Sequence, residues 1–195
     1  MKEIVVASNN QHKIKELKQM LEPLGYQVYG MKEKGIELDV EETGTTFEEN
    51  ALLKAKAIRQ QVDSIIISDD SGIEIACLNN APGIYSARYL GENTPYTEKN
   101  KILLDKIKDE TNREARFYSA IALLIGEEEY LFSGILNGTI AYEAKGEYGF
   151  GYDPIFYLPE LNLHLAELPD EEKNKISHRH LALKQVVDFL EKRMK

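Results

Sequence analysis

The sequence has little cysteine and no long apolar run, and both shortages narrow the class of protein. Cys77 is the single cysteine among 195 residues, so no disulfide can form within the chain, which fits a reducing compartment. No apolar stretch approaches the roughly 20 residues that a membrane helix needs. The first apolar run, residues 1–7, is too short for a signal peptide. We therefore expect a cytoplasmic protein that does not enter a membrane.

Basic residues are also scarce relative to acidic ones. Lys and Arg number 24 against 33 Asp and Glu, which gives a formal net charge of −9. Proteins that bind polymeric nucleic acid usually present a basic patch, and this balance argues against one. A small anionic ligand stays compatible with the charge, because a few lysines and a metal ion make a cleft locally positive.

Length and patterning indicate an α/β fold in one domain, residues 1–195. Helical and strand patterns interleave, but two long strand candidates, residues 115–125 and 130–142, are adjacent and joined by a hairpin at Gly126. The sheet is therefore expected to be mixed and not purely parallel. The other predicted strands are residues 3–7, 26–31 and 65–67. The predicted helices cover residues 14–24, begin at a capping box at Thr46, begin near residue 93, and follow Ser177.

Polar side chains fill the junction between the first strand and the first helix. They are Ser8, Asn9, Asn10, Gln11, His12 and Lys13. Free backbone N–H groups and the positive end of the helix dipole make such a junction a good anion site, to which Lys13 adds a charge. The alternative is an Asn or Ser helix cap with a solvated Lys13, and local spacing alone favours that alternative.

Two pairs of adjacent carboxylates lie outside the predicted helices, so they are not the exposed acids of a solvated helix face. Glu41 and Glu42 lie in a predicted loop, and Asp69 and Asp70 directly follow a predicted strand that ends at Ser68. Proteins of the α/β class bind ligands at the carboxyl ends of strands. Adjacent acids repel each other, so a cation would stabilise them, and hard oxygen ligands suit magnesium. A simple turn explains the two aspartates equally well.

Two later segments combine glycine, aromatic and basic residues. Residues 149–154, Gly-Phe-Gly-Tyr-Asp-Pro, form a candidate platform for stacking on a base, although aromatic rings that cap the core are commoner. A basic group before the last helix, Lys173, His178 and Arg179, faces either solvent or an anion. The patterns G-x-G-x-x-G and G-x-x-x-x-G-K-[ST] are absent, so neither a dinucleotide fingerprint nor a P-loop is present.

Taken in order, these segments resemble the inosine/xanthosine triphosphate pyrophosphatase family, the house-cleaning purine nucleotide pyrophosphatases. The resemblance covers almost the whole chain, and several motifs in order are far more specific than any one of them. The family often has glycine where this chain has Asn9 and His12, so the first loop can hold phosphates differently. The matching motifs are Ser8-Asn9-Asn10 with Lys13, Glu41-Glu42-Thr43-Gly44, Phe47-Glu48-Glu49-Asn50-Ala51 with Lys54 and Ala55, Asp69-Asp70-Ser71-Gly72, residues 81–89, residues 149–156, and Lys173 with Ile176-Ser177-His178-Arg179.

The resemblance implies a fold, a reaction and a set of site residues. The fold is two-lobed around an elongated mixed sheet with flanking helices and a central cleft, and the assembly is a homodimer. The reaction is hydrolysis of ITP, dITP or XTP to monophosphate and pyrophosphate, with Mg²⁺ held by Glu41 and Asp70 and with Asp70 as general base. The residues that the resemblance implies for binding the phosphates are Ser8, Asn9, Asn10, Gln11, His12, Lys13, Lys54 and Ser71. The residues that it implies for binding the base and the remaining phosphate are Phe150, Gly151, Tyr152, Asp153, Lys173, His178 and Arg179.

Base selection has a chemical basis in this set. Hypoxanthine and xanthine present a carbonyl at position 6 and an N–H at position 1, whereas adenine presents an amino group and a bare nitrogen. Asp153 is the candidate acceptor and Arg179, with His178, the candidate donor, while Phe150 and Tyr152 are expected to stack on the ring. Leaving such groups unpaired costs roughly 1–3 kcal/mol each, which is enough for selectivity.

Two other functions fit part of the sequence. One is a nucleotide sensor that binds without turnover, which gains little from so many carboxylates around a polyanion. The other is a Maf-like pyrophosphatase that acts on other nucleotides, against which residues 150–153 and 177–179 argue. An assay for released pyrophosphate separates the sensor from both enzymes.

Overall fold

A computed structural model describes residues 2–194, and within them seven strands form one sheet in the order β2-β1-β3-β4-β5-β6-β7. The strands are β1 Glu3–Val6, β2 Gln27–Gly30, β3 Ile65–Ile75, β4 Glu114–Ile125, β5 Glu128–Ile140, β6 Phe156–Leu158 and β7 Leu163–His164. The helices are α1 Gln11–Leu21, α2 Phe47–Arg59, α3 Tyr96–Lys106, α4 Asp170–Ile176 and α5 His178–Met194.

Both parallel and antiparallel pairs occur in the sheet. Strand β1 pairs in parallel with β2 and with β3, whereas β6 pairs antiparallel with β5 and with β7. Strands β4 and β5 are separated by two residues, which is the hairpin that the sequence indicated at Gly126. The prediction of an α/β fold with a mixed sheet is confirmed.

Strand β3 differs from its prediction. The sequence placed Asp69 and Asp70 after a strand that ends at Ser68, and this boundary is wrong, because β3 continues to Ile75. Ile73 and Ile75 are completely buried, so apolar burial beyond the two acids extends the strand through a polar stretch that favours turns in isolation. The two aspartates therefore lie on a strand and not in a turn.

Two helices begin where the sequence signals indicated, α2 after Thr46 and α5 after Ser177, whereas α1 begins at Gln11 and not at residue 14, α3 begins at Tyr96, and α4 was not predicted. Thr46 caps α2, since its side chain accepts a 3.1 Å hydrogen bond from the backbone N–H of Glu49. The predicted apolar face of α1 is buried at Ile14, Leu17 and Leu21. No helix among residues 2–194 has the length and apolarity that crossing a bilayer requires.

The chain divides into two compact units, each with its own core. The first unit takes the chain up to residue 70, residues 119–134, and residues from 181 onward. Its core joins β1, α1, β2 and α5 through side chains such as Val6, Leu17 and Val186. The second unit takes residues 71–118 and 135–180, with a core that includes Ile73, Leu103 and Phe156. A single domain over residues 1–195 stays a prediction, and residues 1 and 195 lie outside the described part.

Candidate active site

The first loop, Ser8 to Lys13, caps helix α1 with its own side chains. The Oδ1 of Asn10 accepts hydrogen bonds from the backbone N–H groups of His12 at 3.0 Å and Lys13 at 3.3 Å. Ser8 Oγ accepts one from the N–H of Asn10 at 3.1 Å. Several amides that the anion-site prediction relied on thus have internal partners, and the capping alternative is confirmed for Asn10. The exposed side chains of this loop are Asn9, Asn10, Gln11 and His12.

Three acids and two lysines form one group in the first unit, which we call the acid–lysine cluster: Lys13, Glu42, Lys54, Asp69 and Asp70. Lys13 Nζ lies 2.9 Å from Asp69 Oδ1. Lys54 Nζ lies 2.7 Å from Glu42 Oε1 and 3.2 Å from Asp70 Oδ1. Lys13 is therefore not a solvated side chain, and each aspartate has its own ammonium partner.

Local geometry explains why these side chains meet. Asn50 and Lys54 are four residues apart on α2 and so share a helix face. Both contact Asp70, since Asn50 Nδ2 donates to Oδ2 at 3.2 Å and Lys54 reaches Oδ1. Consecutive residues of a strand point to opposite faces of the sheet. Asp69 and Asp70 accordingly have partners on different helices, α1 and α2.

Burial sets the acid–base character of this cluster. Burial raises the pKa of Asp70 above its usual value, although the charge of Lys54 opposes the shift. Burial lowers the pKa of Lys54, but the charges of Asp70, Asp69 and Glu42 outweigh it and the pKa rises overall. Lys54 therefore stays an ammonium. Asp70 becomes a stronger base than an exposed carboxylate, as an acceptor of protons requires.

A cavity of about 220 Å³ opens beside the cluster in the first unit. Lys13, Glu42, Lys54 and Asp69 contribute to its wall, together with Ser8 and Asn9 of the first loop. The wall also carries the carboxylates of Asp39, Glu42 and Asp69, which outnumber the two ammonium groups, so a phosphate here would need a cation beside it. The structure thus brings the predicted phosphate residues Ser8, Asn9, Lys13 and Lys54 together.

The predicted metal ligands Glu41 and Asp70 differ in their surroundings. Glu41 is exposed, and the neighbouring Glu42 is the acid that meets Lys54 and the cavity. No three His, Cys, Asp or Glu side chains within the described range 2–194 already converge as a metal site. The donor chemistry still fits Mg²⁺, because the carboxylates of Glu42 and Asp70 both approach one cation, the ammonium of Lys54. The assignment of Glu41 stays a prediction.

In the second unit, residues 149–154 lead from a bend into the short 3-10 helix Asp153–Ile155, and we call this segment the recognition loop. Asp153 is buried, and its Oδ2 accepts hydrogen bonds from Lys173 Nζ at 2.5 Å and from the N–H of Phe150 at 2.8 Å. Gly149 has a φ of +72°, and a Cβ there would overlap Asp153 Oδ2. Burial raises the pKa of Asp153, while the charges of Lys173 and Arg179 oppose the shift. Glycine at 149 thus allows the carboxylate to close the loop.

The two aromatic rings of the recognition loop have opposite surroundings. Phe150 is 47% exposed and lies under the ammonium of Lys173, 4.4 Å from its ring centroid. Tyr152 is 3% exposed, its hydroxyl donates to the Ser86 carbonyl at 2.8 Å, and its ring meets Tyr96 edge-on. The expectation that both rings stack on a base is therefore corrected. Phe150 is the exposed ring of the two, because the core of the second unit encloses Tyr152.

The basic group, with Lys173 in α4 and His178 and Arg179 in the first turn of α5, is buried and not solvated. Arg179 donates from Nη2 to Ser71 Oγ at 3.1 Å, which joins two predicted site residues that are far apart in sequence. His178 stacks on Phe117 with ring centroids 4.9 Å apart. Ser177 caps the helix by accepting from the N–H of His180 at 3.1 Å. The structure thus assembles Ser71, Asp153, Lys173, His178 and Arg179 in the second unit.

Sequence reasoning missed several residues of these two groups. Asn50 stands four positions before Lys54, and that spacing on a capped helix was a usable signal. Asp69 and Glu42 were seen as acids but not assigned, and no local pattern connects Asp69 to Lys13. Asn100, which donates to the carbonyl of Gly151 at 3.0 Å, carried no signal at all.

The chain resembles known proteins over almost its full length. The Ham1 family model matches residues 4–189. A Bacillus subtilis protein named dITP/XTP pyrophosphatase is 47% identical, with 98% of each chain covered. A Thermoanaerobacter pseudethanolicus protein of the same name is 45% identical, again with 98% of each chain covered.

Solved structures give the same relationship. The Ham1 protein of Staphylococcus aureus superimposes with a TM-score of 0.92 at 46% identity, covering 98% of this chain and 100% of that one. A HAM1 protein from Coxiella burnetii gives a TM-score of 0.93 at 41% identity, with the same coverage.

Proposed function

This chain belongs to the Ham1 family, and on that premise we propose that it hydrolyses ITP, dITP and XTP to the monophosphate and pyrophosphate with Mg²⁺, clearing these non-standard nucleotides from the cellular pool. Relatives named dITP/XTP pyrophosphatase, 45% and 47% identical over 98% of the chain, place it among nucleoside triphosphate pyrophosphatases. The products, the metal and the roles of individual residues are our proposals.

The observation that supports this reaction best is the surroundings of Asp70. A buried carboxylate of raised pKa accepts from Lys54 and Asn50, and Lys54 also meets Glu42 at the cavity wall. A proton acceptor beside a fixed cation and a small polar cavity is what attack of water on a phosphate ester anhydride requires. A sensor that only binds a nucleotide has no need for a buried base.

In the proposed reaction, Asp70 orients a water molecule and takes its proton as the oxygen attacks the α-phosphorus. The bond between that phosphorus and the oxygen bridging to the β-phosphorus breaks, and pyrophosphate leaves with the electron pair. Lys13 and Lys54 offset the negative charge of the phosphates, so that the water can approach. Positioning and charge account for most of the catalysis in reactions of this type.

The metal proposal follows from the same carboxylates. Asp70 and Glu42 would hold Mg²⁺, with Glu41 as the ligand that the family resemblance implies. When bound, Mg²⁺ neutralises charge on the phosphates and on the leaving pyrophosphate. Lys54 would then give up part of its contact with the two acids to the incoming cation and phosphate.

Base recognition is proposed for the second unit. Phe150 supplies the exposed ring for stacking, and Asp153 with Arg179 supplies a buried acceptor and a donor. One oxygen of Asp153 already accepts from Lys173 and from the N–H of Phe150. Its Oδ1 is the atom that we assign to the N–H at position 1 of the base.

The products test the proposed reaction. Phosphorus NMR of the mixture formed from ITP and Mg²⁺ is expected to show inosine monophosphate and pyrophosphate in equal amounts. Stepwise appearance of orthophosphate with a diphosphate intermediate contradicts the proposal. Tight binding of ITP without turnover instead favours the sensor. A panel of triphosphates in the same assay separates this enzyme from a Maf-like one.

The two neighbouring glutamates give a prediction about the metal. We expect Glu42→Gln to raise the Mg²⁺ concentration needed for half-maximal activity by about tenfold, because it removes charge from the side chain that meets Lys54. Glu41→Gln, one residue away and exposed, is the matched control. A larger shift from Glu41→Gln than from Glu42→Gln would restore Glu41 as the principal metal ligand of the pair.

Assembly and location complete the proposal. We propose a homodimer, as the family resemblance implies, in keeping with the symmetry of most soluble oligomers. Light scattering at micromolar concentration checks it, and a monomeric mass would refute it. We also propose that the reaction takes place in the cytoplasm, where its nucleotide substrates are found.

A further inference from the structure

Two buried hydrogen bonds hold the recognition loop from its inner side. Asn100 of α3 bonds the carbonyl of Gly151, and the hydroxyl of Tyr152 bonds the carbonyl of Ser86. Neither Asn100 nor Tyr152 is open to solvent, at 4% and 3% exposure. Both side chains therefore act on the loop that carries Phe150 and Asp153 without being reachable by a nucleotide.

The amide of Asn100 is only half satisfied. Its Nδ2 donates to Gly151 at 3.0 Å, but its Oδ1 is buried and has no hydrogen-bond partner among residues 2–194. An unpaired buried acceptor costs stability, whereas an apolar side chain of the same shape avoids that cost. Leucine would avoid that cost but would leave the Gly151 carbonyl without this donor, so for folding alone we expect the two side chains to differ little. The hold on Gly151, which lies in the left-handed region at φ +68°, is what asparagine adds.

The bond of Tyr152 leads to the strand that carries Ser71. Ser86 Oγ accepts from the N–H of Ile73 at 2.9 Å and donates to the carbonyl of Gly83 at 2.6 Å. Gly72 packs so closely here that a Cβ would overlap Ser86 Oγ. The Ser86 segment is thus fixed on β3 immediately after Ser71, and Tyr152 connects it to the recognition loop.

Ser71 in turn accepts a hydrogen bond from Arg179, the candidate donor for the base. The path runs from Asp153 through Tyr152 and Ser86 to β3, and from Ser71 to Arg179. Every contact along it lies within the second unit. The candidate acceptor Asp153 and the candidate donor Arg179 are therefore connected through Tyr152, Ser86 and Ser71.

We propose that Asn100 and Tyr152 are positioning residues that set base selectivity, by fixing the recognition loop so that Asp153 and Phe150 meet the base in one geometry. The inference rests on the proposed function, because it presupposes that the loop reads a purine. Recognition of this kind tolerates errors of only about 0.5 Å. Releasing the loop therefore weakens discrimination between bases, while the phosphate contacts that all substrates share are unaffected.

Single-atom and isosteric variants test the inference. Tyr152→Phe and Asn100→Leu are each expected to lower kcat/KM for ITP and to narrow the ratio of kcat/KM for ITP over ATP by about tenfold. Asn100→Leu is expected to leave the Tm within about 4 °C of the parent, since it also removes the unpaired acceptor. Tyr157→Phe is the matched control, because it removes a tyrosine hydroxyl whose partner is the exposed Asn162.

The outcomes separate the two levels of the proposal. No turnover of ITP by the parent chain overturns the proposed function itself. If the parent hydrolyses ITP selectively and the folded Tyr152→Phe variant has the same ratio of kcat/KM for ITP over ATP, the positioning role is overturned. An equal narrowing of the ITP/ATP ratio of kcat/KM by Tyr157→Phe also overturns the positioning role, since Tyr157 lies outside the recognition loop. Tyr152→Phe removes a single oxygen and so decides the question even where Asn100→Leu folds poorly.

Discussion

Asp70→Asn is expected to lower kcat for ITP by about 10²–10⁴-fold while the chain keeps its fold. The substitution removes the proton acceptor and one charge beside Lys54, but the side-chain shape and a hydrogen-bonding oxygen are retained. Steady-state kinetics at saturating Mg²⁺ give the measurement. Asp188→Asn, an exposed acid on α5 in the same unit, is the matched control for loss of one negative charge.

Stability distinguishes loss of chemistry from loss of structure in this variant. Because burial raises the pKa of Asp70 in the folded chain, folding disfavours its ionised form. The resulting cost is absent below the ordinary carboxyl pKa and is fully present once the pH exceeds the folded pKa. Asparagine removes this cost but also removes one ion-pair partner of Lys54, which keeps Glu42, so the Tm at neutral pH is expected to stay close to that of the parent. Near-normal turnover, or a collapse of the Tm, would remove Asp70 from its assigned role.

The second large effect is expected from Asp153→Asn. The carboxylate is an obligate acceptor, whereas an amide also donates, so the N–H at position 1 of hypoxanthine loses its dedicated partner. We expect kcat/KM for ITP to fall and its ratio over ATP to narrow by about a hundredfold. The measurement is that ratio in parent and variant. An unchanged ratio would move base reading to the backbone around Ser177.

Asp153→Asn also leaves Lys173 buried without its counter-charge, which costs about 3–5 kcal/mol when a buried pair is broken. The double variant Asp153→Asn/Lys173→Met separates this effect from recognition. It restores neutrality, so the Tm is expected to recover, while the narrowed ITP/ATP ratio is expected to persist. Recovery of selectivity together with stability would show that Asp153 acts only as the partner of Lys173.

Those parts of the fold that depend on neighbouring residues could be predicted from the sequence. The Thr46 cap, the apolar face of α1 and the β4–β5 hairpin each follow from a few adjacent positions. The length of β3 could not be predicted in this way. Asp69 to Gly72 favour a turn locally, and it is the burial of Ile73 and Ile75 that keeps them extended.

The candidate site shows the same division. Motif order identified most of the side chains that the structure assembles, including the pair Ser71 and Arg179. Contacts over long sequence distances had no local signal, as between Lys13 and Asp69. Tyr152 is instructive, since an aromatic residue that follows a glycine suits either a stacking surface or a core. Its partner Ser86, which decides the question, is distant in sequence.

The extension of β3 through Asp69 and Asp70 has a consequence for motion during turnover. This strand is third of seven, with β4 on one side and, over residues 65–67 just before the two acids, β1 on the other. Amide protons in the interior of such strands exchange with solvent only when large parts of a protein open, whereas loop amides exchange through local fluctuations. In deuterium-exchange experiments, the amide of Asp70 should therefore be protected whether or not nucleotide is present. Nucleotide should slow exchange chiefly in the recognition loop, whose backbone a bound base would cover, while the slow exchange at Asp70 should stay unchanged.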